Sequence, residues 1–106
     1  MPNLSPHTDH TQDNKDLLEL LEILCRFNAP EPCGRFLMDL CTPQELKSLS
    51  DRWQVAKLLH QDVPYRKISA LTGASTATIT RVARSLLHGQ NGYQQVLQTS
   101  LELEQK

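Results

Sequence analysis

The stretch YRKISALTGASTATITRVARSLL, residues 65–87, decides the fold, because it predicts two short helices joined at Gly73. The turn needs a residue that tolerates positive φ, and glycine does so without steric cost. Ser75 stands where it can cap the second helix, and Ala70 and Ala74 are small enough for two helices to cross closely. The apolar residues expected to face inward are Ile68 and Leu71 from the first helix, and Ile79, Val82, Ala83, Leu86 and Leu87 from the second. This pattern is typical of a helix-turn-helix, whose second helix, about residues 75–87, enters the major groove of DNA.

The side chains left on the outside of this helix pair predict a DNA-binding surface. Near the start of the second helix, the small side chains of Thr76, Ala77 and Thr80 suit close approach, methyl contact with thymine and water-bridged hydrogen bonds. The basic side chains of Arg66, Lys67 and Arg84 can reach phosphates or a guanine edge. Together with the capping serine, the candidate DNA-binding residues are Arg66, Lys67, Ser75, Thr76, Ala77, Thr80 and Arg84. The alternative is an αα-hairpin that binds no ligand.

Charge along the chain supports the DNA-binding interpretation, although the average charge does not. The 106 residues hold 11 Lys+Arg and 12 Asp+Glu, for a net charge of −1, which by itself argues against a polyanion-binding protein. Residues 1–62 carry a net charge of −4, residues 63–101 carry four cations and no acid, and residues 102–106 carry −1. An acid-free stretch favours a phosphate-facing surface, because phosphate contacts need cations without neighbouring carboxylates. An ordinary solvated face is the alternative.

The segments around the helix pair are also helical in pattern. Residues 14–27 carry apolar side chains on two stripes, so this helix either runs through the centre of a monomer or is covered by a second copy of the chain; we favour the homodimer. Helical spacing continues over residues 33–41, and Thr42-Pro43-Gln44-Glu45 is a capping box that starts a helix reaching about residue 61. Trp53 is predicted to be a core or interface residue. A last helix follows residues 89–92, with its apolar stripe at Tyr93, Val96, Leu97 and Leu101.

These patterns predict an all-α protein of about six helices. We expect a single domain over residues 14–106, preceded by a flexible arm over residues 1–13, where two prolines and almost no apolar residues occur. His7 and His10 stand three apart in this arm, without the further ligands that a metal site needs. Cys25, Cys33 and Cys41 are odd in number and stand in otherwise apolar stretches, which predicts small buried thiols in a reducing compartment and no disulfide framework. No apolar run approaches the roughly 20 residues of a membrane span, so we expect a cytoplasmic protein. No phosphate loop or nucleophile–base pattern is present, and we predict no enzymatic activity.

Several motifs resemble the tryptophan repressor family. The similarity is carried by Leu40-Cys41-Thr42-Pro43-Gln44-Glu45, by residues 65–73, and above all by Ala77-Thr78-Ile79-Thr80-Arg81. The stretches Val55-Ala56-Lys57-Leu58-Leu59 and Gly92-Tyr93-x-x-Val96-Leu97 are more similar to its YerC/YecD-like branch. The resemblance covers about residues 15–103. It implies an intertwined homodimer whose N-terminal helices cross between subunits, and operator DNA as the partner.

The corepressor site of the family is matched only in part. In members that bind tryptophan, two arginines enclose the indole while threonine and serine hold the amino-acid end. The matching positions here are Arg52, Arg81, Thr42 and Ser85. The spacing from Arg52 to Leu58-Leu59 is one residue short, and Val82 stands where those members have glycine, so its branched side chain would fill the indole space. Thr42 is also explained as a helix cap, and Arg52 as a partner of Asp51 or Glu45. We therefore predict no cofactor, and in particular no tryptophan.

The sequence is compatible with two functions. The first is a dimeric, sequence-specific DNA-binding transcriptional regulator, acting as a repressor, with an effector that is absent or is not tryptophan. The second is a helical dimer that serves as a protein-interaction module, in which the helix pair is kept only for packing. The small, polar face at Thr76, Ala77 and Thr80 favours the first, because it lacks the large side chains of a protein hot spot.

Overall fold

The computed structural model describes residues 11–104, and its side-chain description covers residues 12–100. Six α-helices account for all regular secondary structure in this range, so the predicted all-α class is confirmed. They are α1 (Thr11–Leu24), α2 (Pro30–Leu40), α3 (Pro43–His60), α4 (Tyr65–Thr72), α5 (Thr76–His88) and α6 (Gly92–Glu104). No helix in the described range is both long and apolar enough to cross a membrane.

The chain divides into two compact units between Thr42 and Pro43. The predicted single domain over residues 14–106 stays a prediction. Most of the predicted N-terminal arm, including His7 and His10, lies outside the described residues. Its last three positions belong to α1, which begins at Thr11 and ends at Leu24, three residues earlier at each end than predicted.

The first unit contains α1 and α2 and no fully buried side chain between residues 12 and 42. α2 begins at Pro30 and has proline in its first turn, where the missing N–H has no helical partner to lose. It therefore begins three residues before the predicted start. The rings of Phe27 and Phe36 pack with their centroids 5.8 Å apart.

The three cysteines, all in this unit, are free thiols, but the prediction that they are buried is wrong in this chain. Cys25 is exposed and Cys33 and Cys41 are half-buried. The physical reason is that α1 and α2 have no core of their own in which to bury a thiol.

The second unit, α3 to α6, contains every fully buried residue among those described. Val55 and Ala56 of α3 pack with Ile68 of α4 and with Ala74, Ile79 and Val82, while Leu97 of α6 is also buried. Trp53 and Tyr93 pack partly buried against this cluster, in agreement with the expectation for Trp53. α3 begins at Pro43, as the capping-box motif predicted. The cluster joins α3, α4 and α5 and thereby holds the helix pair in place.

Two residues predicted to face inward do not. Leu71 is 61% exposed and Leu87 is 75% exposed. The inward side of α4 runs through Ile68 and the half-buried Thr72, four residues apart, which leaves Leu71 outside. On α5 the inward positions are Ile79, Val82 and Leu86, and Leu87 lies one position, about 100°, further round the helix.

Candidate nucleic-acid interface

The turn between α4 and α5 adopts the geometry that Gly73 predicted. Gly73 has φ 76°, in the left-handed region, and its N–H donates to the Ser69 carbonyl at 2.8 Å. A Cβ at this position would meet nothing within 4 Å, so the requirement for glycine comes from the backbone conformation and not from crowding.

Side-chain hydroxyls fix this turn from within. The Thr72 hydroxyl donates to the Ile68 carbonyl at 2.8 Å and accepts from the Ala74 N–H at 3.1 Å. The Ser69 hydroxyl donates to the Ala74 carbonyl at 3.0 Å. The bonds from Ser69 and Thr72 to Ala74 hold the turn against the last residues of α4, and they give the Ala74 N–H and carbonyl hydrogen-bond partners.

Ser75 caps α5 as predicted. Its hydroxyl oxygen accepts from the Thr78 N–H at 3.1 Å, and the same hydroxyl donates to Thr78 Oγ1 at 3.1 Å. Such a cap stabilises a helix by about 1 kcal/mol. The hydroxyl therefore has a structural task, while the contact of Ser75 with DNA stays a prediction.

The outward side of α5 brings together most of the predicted contact residues of that helix. Thr76, Ala77, Thr80 and Arg84 line one open concavity of about 610 Å³, together with Arg81 and Ser85. All of them except the half-buried Ser85 are exposed. Because positions 76, 77, 80 and 84 follow each other at spacings of one, three and four residues, they share one side of the helix.

Arg66 and Lys67 lie elsewhere on the helix pair, in the first turn of α4, where both are exposed. α4 and α5 together carry four cations and no acid. The charged side chains of the helix pair are therefore all positive.

The residues matched to a corepressor site are only partly brought together. Arg81 and Ser85 line the concavity on α5, whereas Arg52 is a half-buried residue of α3 that does not line it. Asp51, one of the acids considered for Arg52, forms its ion pair with Lys47 at 2.8 Å. Thr42 belongs to the first unit. Val82 is 1% exposed and packs in the core cluster with Val55 and Ala56.

The second unit also has an apolar hollow of about 540 Å³ that the sequence did not predict. It is lined by Trp53, Ser85, Gly89, Gln90, Gly92, Tyr93 and Val96. Val96 is 52% exposed there, although its stripe on α6 was predicted to close the core. In the sequence, Gly89, Gly92 and Tyr93 stand together, but Trp53 lies in α3, so no local signal indicates the hollow. No group of three or more potential metal ligands occurs in the described part of the chain.

The described residues form six helices, of which the fourth and fifth are the two helices of a capped, cationic helix-turn-helix. The protein is therefore of the helix-turn-helix class. Comparison with known sequences specifies the family. The chain belongs to the Trp repressor protein family, which it matches over residues 15–101. Members of this family are regulators and not enzymes.

The similar proteins agree with this membership. The chain is 42% identical over 90 residues to the uncharacterized protein YerC of Bacillus subtilis (strain 168), covering 85% of this chain and 86% of YerC. A crystal structure of a candidate Trp repressor from Staphylococcus aureus superposes with a TM-score of 0.80 at 39% identity, covering 88% of this chain and 95% of the other. The crystal structure of a TrpR-like protein from Eubacterium eligens ATCC 27750 superposes with a TM-score of 0.78 at 39% identity, covering 80% of this chain and 88% of the other.

Proposed function

We propose that this protein is a sequence-specific DNA-binding transcriptional regulator that acts as a repressor in the cytoplasm. The observation that carries the proposal is the acid-free, cationic surface of α4 and α5, with an exposed recognition helix anchored by Ile79 and Val82. The predicted contacts are the basic side chains of Arg66, Lys67 and Arg84 to phosphate or guanine, and the small residues of α5 to base edges.

The active form in this proposal is a homodimer. The first unit leaves apolar side chains uncovered, with Leu17 41%, Met38 70% and Leu40 50% exposed. Cys25 of this unit is exposed, and the apolar hollow beside Trp53 on the second unit is open as well. A second copy that covers these surfaces removes apolar area from water, at about 25 cal/mol per Å². Two recognition helices then enter successive major grooves about 34 Å apart.

Light scattering after size-exclusion chromatography tests the dimer directly. The expected mass is twice the 12.0 kDa of one chain. Met38→Glu places a charge in the proposed interface and is expected to shift the mass toward one chain. A single-chain mass for both the unsubstituted protein and Met38→Glu contradicts the dimer.

DNA binding is tested by selection from a random duplex library, followed by a salt titration of the selected duplex. Three basic contacts in each protomer give six in the dimer, so log K is expected to fall against log[salt] with a slope of about −5. The proposal is contradicted if no duplex shows salt-dependent binding. If the protein instead binds a protein partner, the interaction module is favoured, and the hollow beside Trp53 is the docking surface to examine.

A matched pair of variants separates a contact from a general charge effect. Arg84→Ala and Arg35→Ala remove the same charge, but Arg84 lies on the recognition helix while Arg35 pairs with Glu31 at 2.8 Å on α2. We expect Arg84→Ala to weaken binding and Arg35→Ala to leave it within about twofold. Equal losses in the two variants contradict the assignment of the surface.

The regulator is proposed to act without tryptophan. Val82 is in the core rather than beside an open cavity, so the position at which tryptophan-binding members have glycine is filled. Calorimetry with tryptophan is expected to give no heat of binding. Clear binding at micromolar concentration overturns this interpretation of Val82.

A further inference from the structure

The helix-turn-helix lacks the side chains that usually read adenine and cytosine. Residues 63–89 contain no Asn, Gln, Asp or Glu. Asn and Gln are the side chains that pair bidentately with adenine, and Glu and Asp are those that accept from the cytosine amino group. Of the direct contacts in the major groove, this segment retains arginine or lysine to guanine, hydroxyl contacts, and apolar contact with the thymine methyl group.

The hydroxyl groups at the start of α5 divide into two sets. Those of Ser75 and Thr78 bond each other, and the Ser75 oxygen also accepts from the Thr78 N–H, so both belong to the helix cap. Thr76 and Thr80 are exposed and line the same concavity as Ala77. This part of the surface therefore carries three methyl groups, the γ-methyls of Thr76 and Thr80 and the β-methyl of Ala77, beside the two threonine hydroxyls.

We infer that α5 recognises A·T base pairs from the thymine side, through packing of the thymine 5-methyl group against the methyl groups of Thr76, Ala77 and Thr80. The inference rests on the DNA-binding function proposed above and names the chemical group that the surface reads. Guanine is left to the basic residues, and adenine, for which the segment has no Asn or Gln, is recognised as the partner of thymine.

Replacing thymine by uracil in the selected duplex tests this, since the change deletes the 5-methyl group and keeps the base pair. Fluorescence anisotropy at one salt concentration compares the two duplexes. We expect about a fourfold loss of affinity for each half-site thymine that is in contact, which is the effect of one buried methyl group. Uracil placed outside the half-sites is the control and is expected to change the affinity less than twofold.

Variants that remove either the methyl or the hydroxyl group of a threonine identify which protein group contacts the thymine. Thr76→Ser and Thr80→Ser delete the methyl group and keep the hydroxyl, whereas Thr76→Val and Thr80→Val do the reverse. We expect the valine variants to keep the preference for thymine over uracil and at least one serine variant to lose it. Circular dichroism of each variant confirms that the helices are intact.

The outcomes separate the inference from the function on which it rests. Equal affinity for thymine and uracil duplexes, with salt-dependent binding to both, overturns the inference and leaves the DNA-binding function in place. A preference that survives in the serine variants and disappears in the valine variants also overturns it, since recognition then depends on the hydroxyl groups. Absence of binding to any duplex overturns both.

Discussion

The substitution Ile79→Ala measures how much the core contributes to holding α5 in place. Ile79 is 1% exposed and belongs to the buried cluster that joins α3, α4 and α5. Truncating a buried isoleucine to alanine costs about 2–5 kcal/mol, because the transfer energy of the deleted carbons is lost and a cavity remains. The core is small, with seven buried apolar residues in the described part of the chain, so little neighbouring volume is available to relax into the space. We expect a loss of about 3 kcal/mol.

Urea denaturation followed by circular dichroism is the assay for this loss. With a slope of about 1.5 kcal/mol per M, the midpoint is expected to fall by about 2 M. Both proteins are compared at one protomer concentration, because association shifts the midpoint. Leu71→Ala is the control, since Leu71 is 61% exposed on α4, and a change below about 0.5 kcal/mol is expected. If Ile79→Ala lowers the free energy of unfolding by less than about 0.5 kcal/mol, or if Leu71→Ala lowers it as much as Ile79→Ala does, the contribution assigned to the buried side chain of Ile79 is refuted.

Three further substitutions test the interface and its supports. Arg84→Ala is expected to reduce the salt slope of DNA binding by about 2, one phosphate contact from each protomer, as measured by anisotropy titrations; an unchanged slope excludes the contact. Ser75→Ala removes the bond from the Thr78 N–H and is expected to lower the free energy of unfolding by about 1 kcal/mol, while Ser75→Asp retains a cap; equal stability of the two variants argues against the cap. Gly73→Ala places a Cβ at φ 76° and is expected to cost about 1 kcal/mol in urea denaturation, and Gly73→Asn less; a neutral alanine variant contradicts the conformational requirement.

The features that the sequence predicted well are those that local chemistry determines. The capping-box motif places the start of α3 at Pro43, because its effect is confined to one helical turn. The left-handed turn at Gly73 and the cap at Ser75 likewise depend on residues within four positions of each other. For the same reason the shared side of Thr76, Ala77 and Thr80 follows from helical periodicity alone.

The features that the sequence did not predict depend on what lies opposite a side chain. Leu71 and Leu87 fall within apolar arcs wider than the surface that α3 covers, so the periodicity could not tell which apolar residue would remain outside. The exposed Cys25 shows the same limit, because burial of α1 requires a partner surface. The hollow beside Trp53 is formed by α3, by the turn after α5 and by α6, which are far apart in sequence.

The separation of inward and outward residues on α5 bears on how this regulator can diverge during evolution. Ile79 and Val82 support the fold, while Thr76, Ala77 and Thr80 contribute nothing to the buried cluster. Exposed substitutions of this kind usually change stability by less than about 0.5 kcal/mol. Under the DNA-binding function proposed above, substitutions at these three positions change the operator that is bound without requiring stabilising mutations elsewhere. Copies of the gene can then diverge in operator specificity while keeping the same fold.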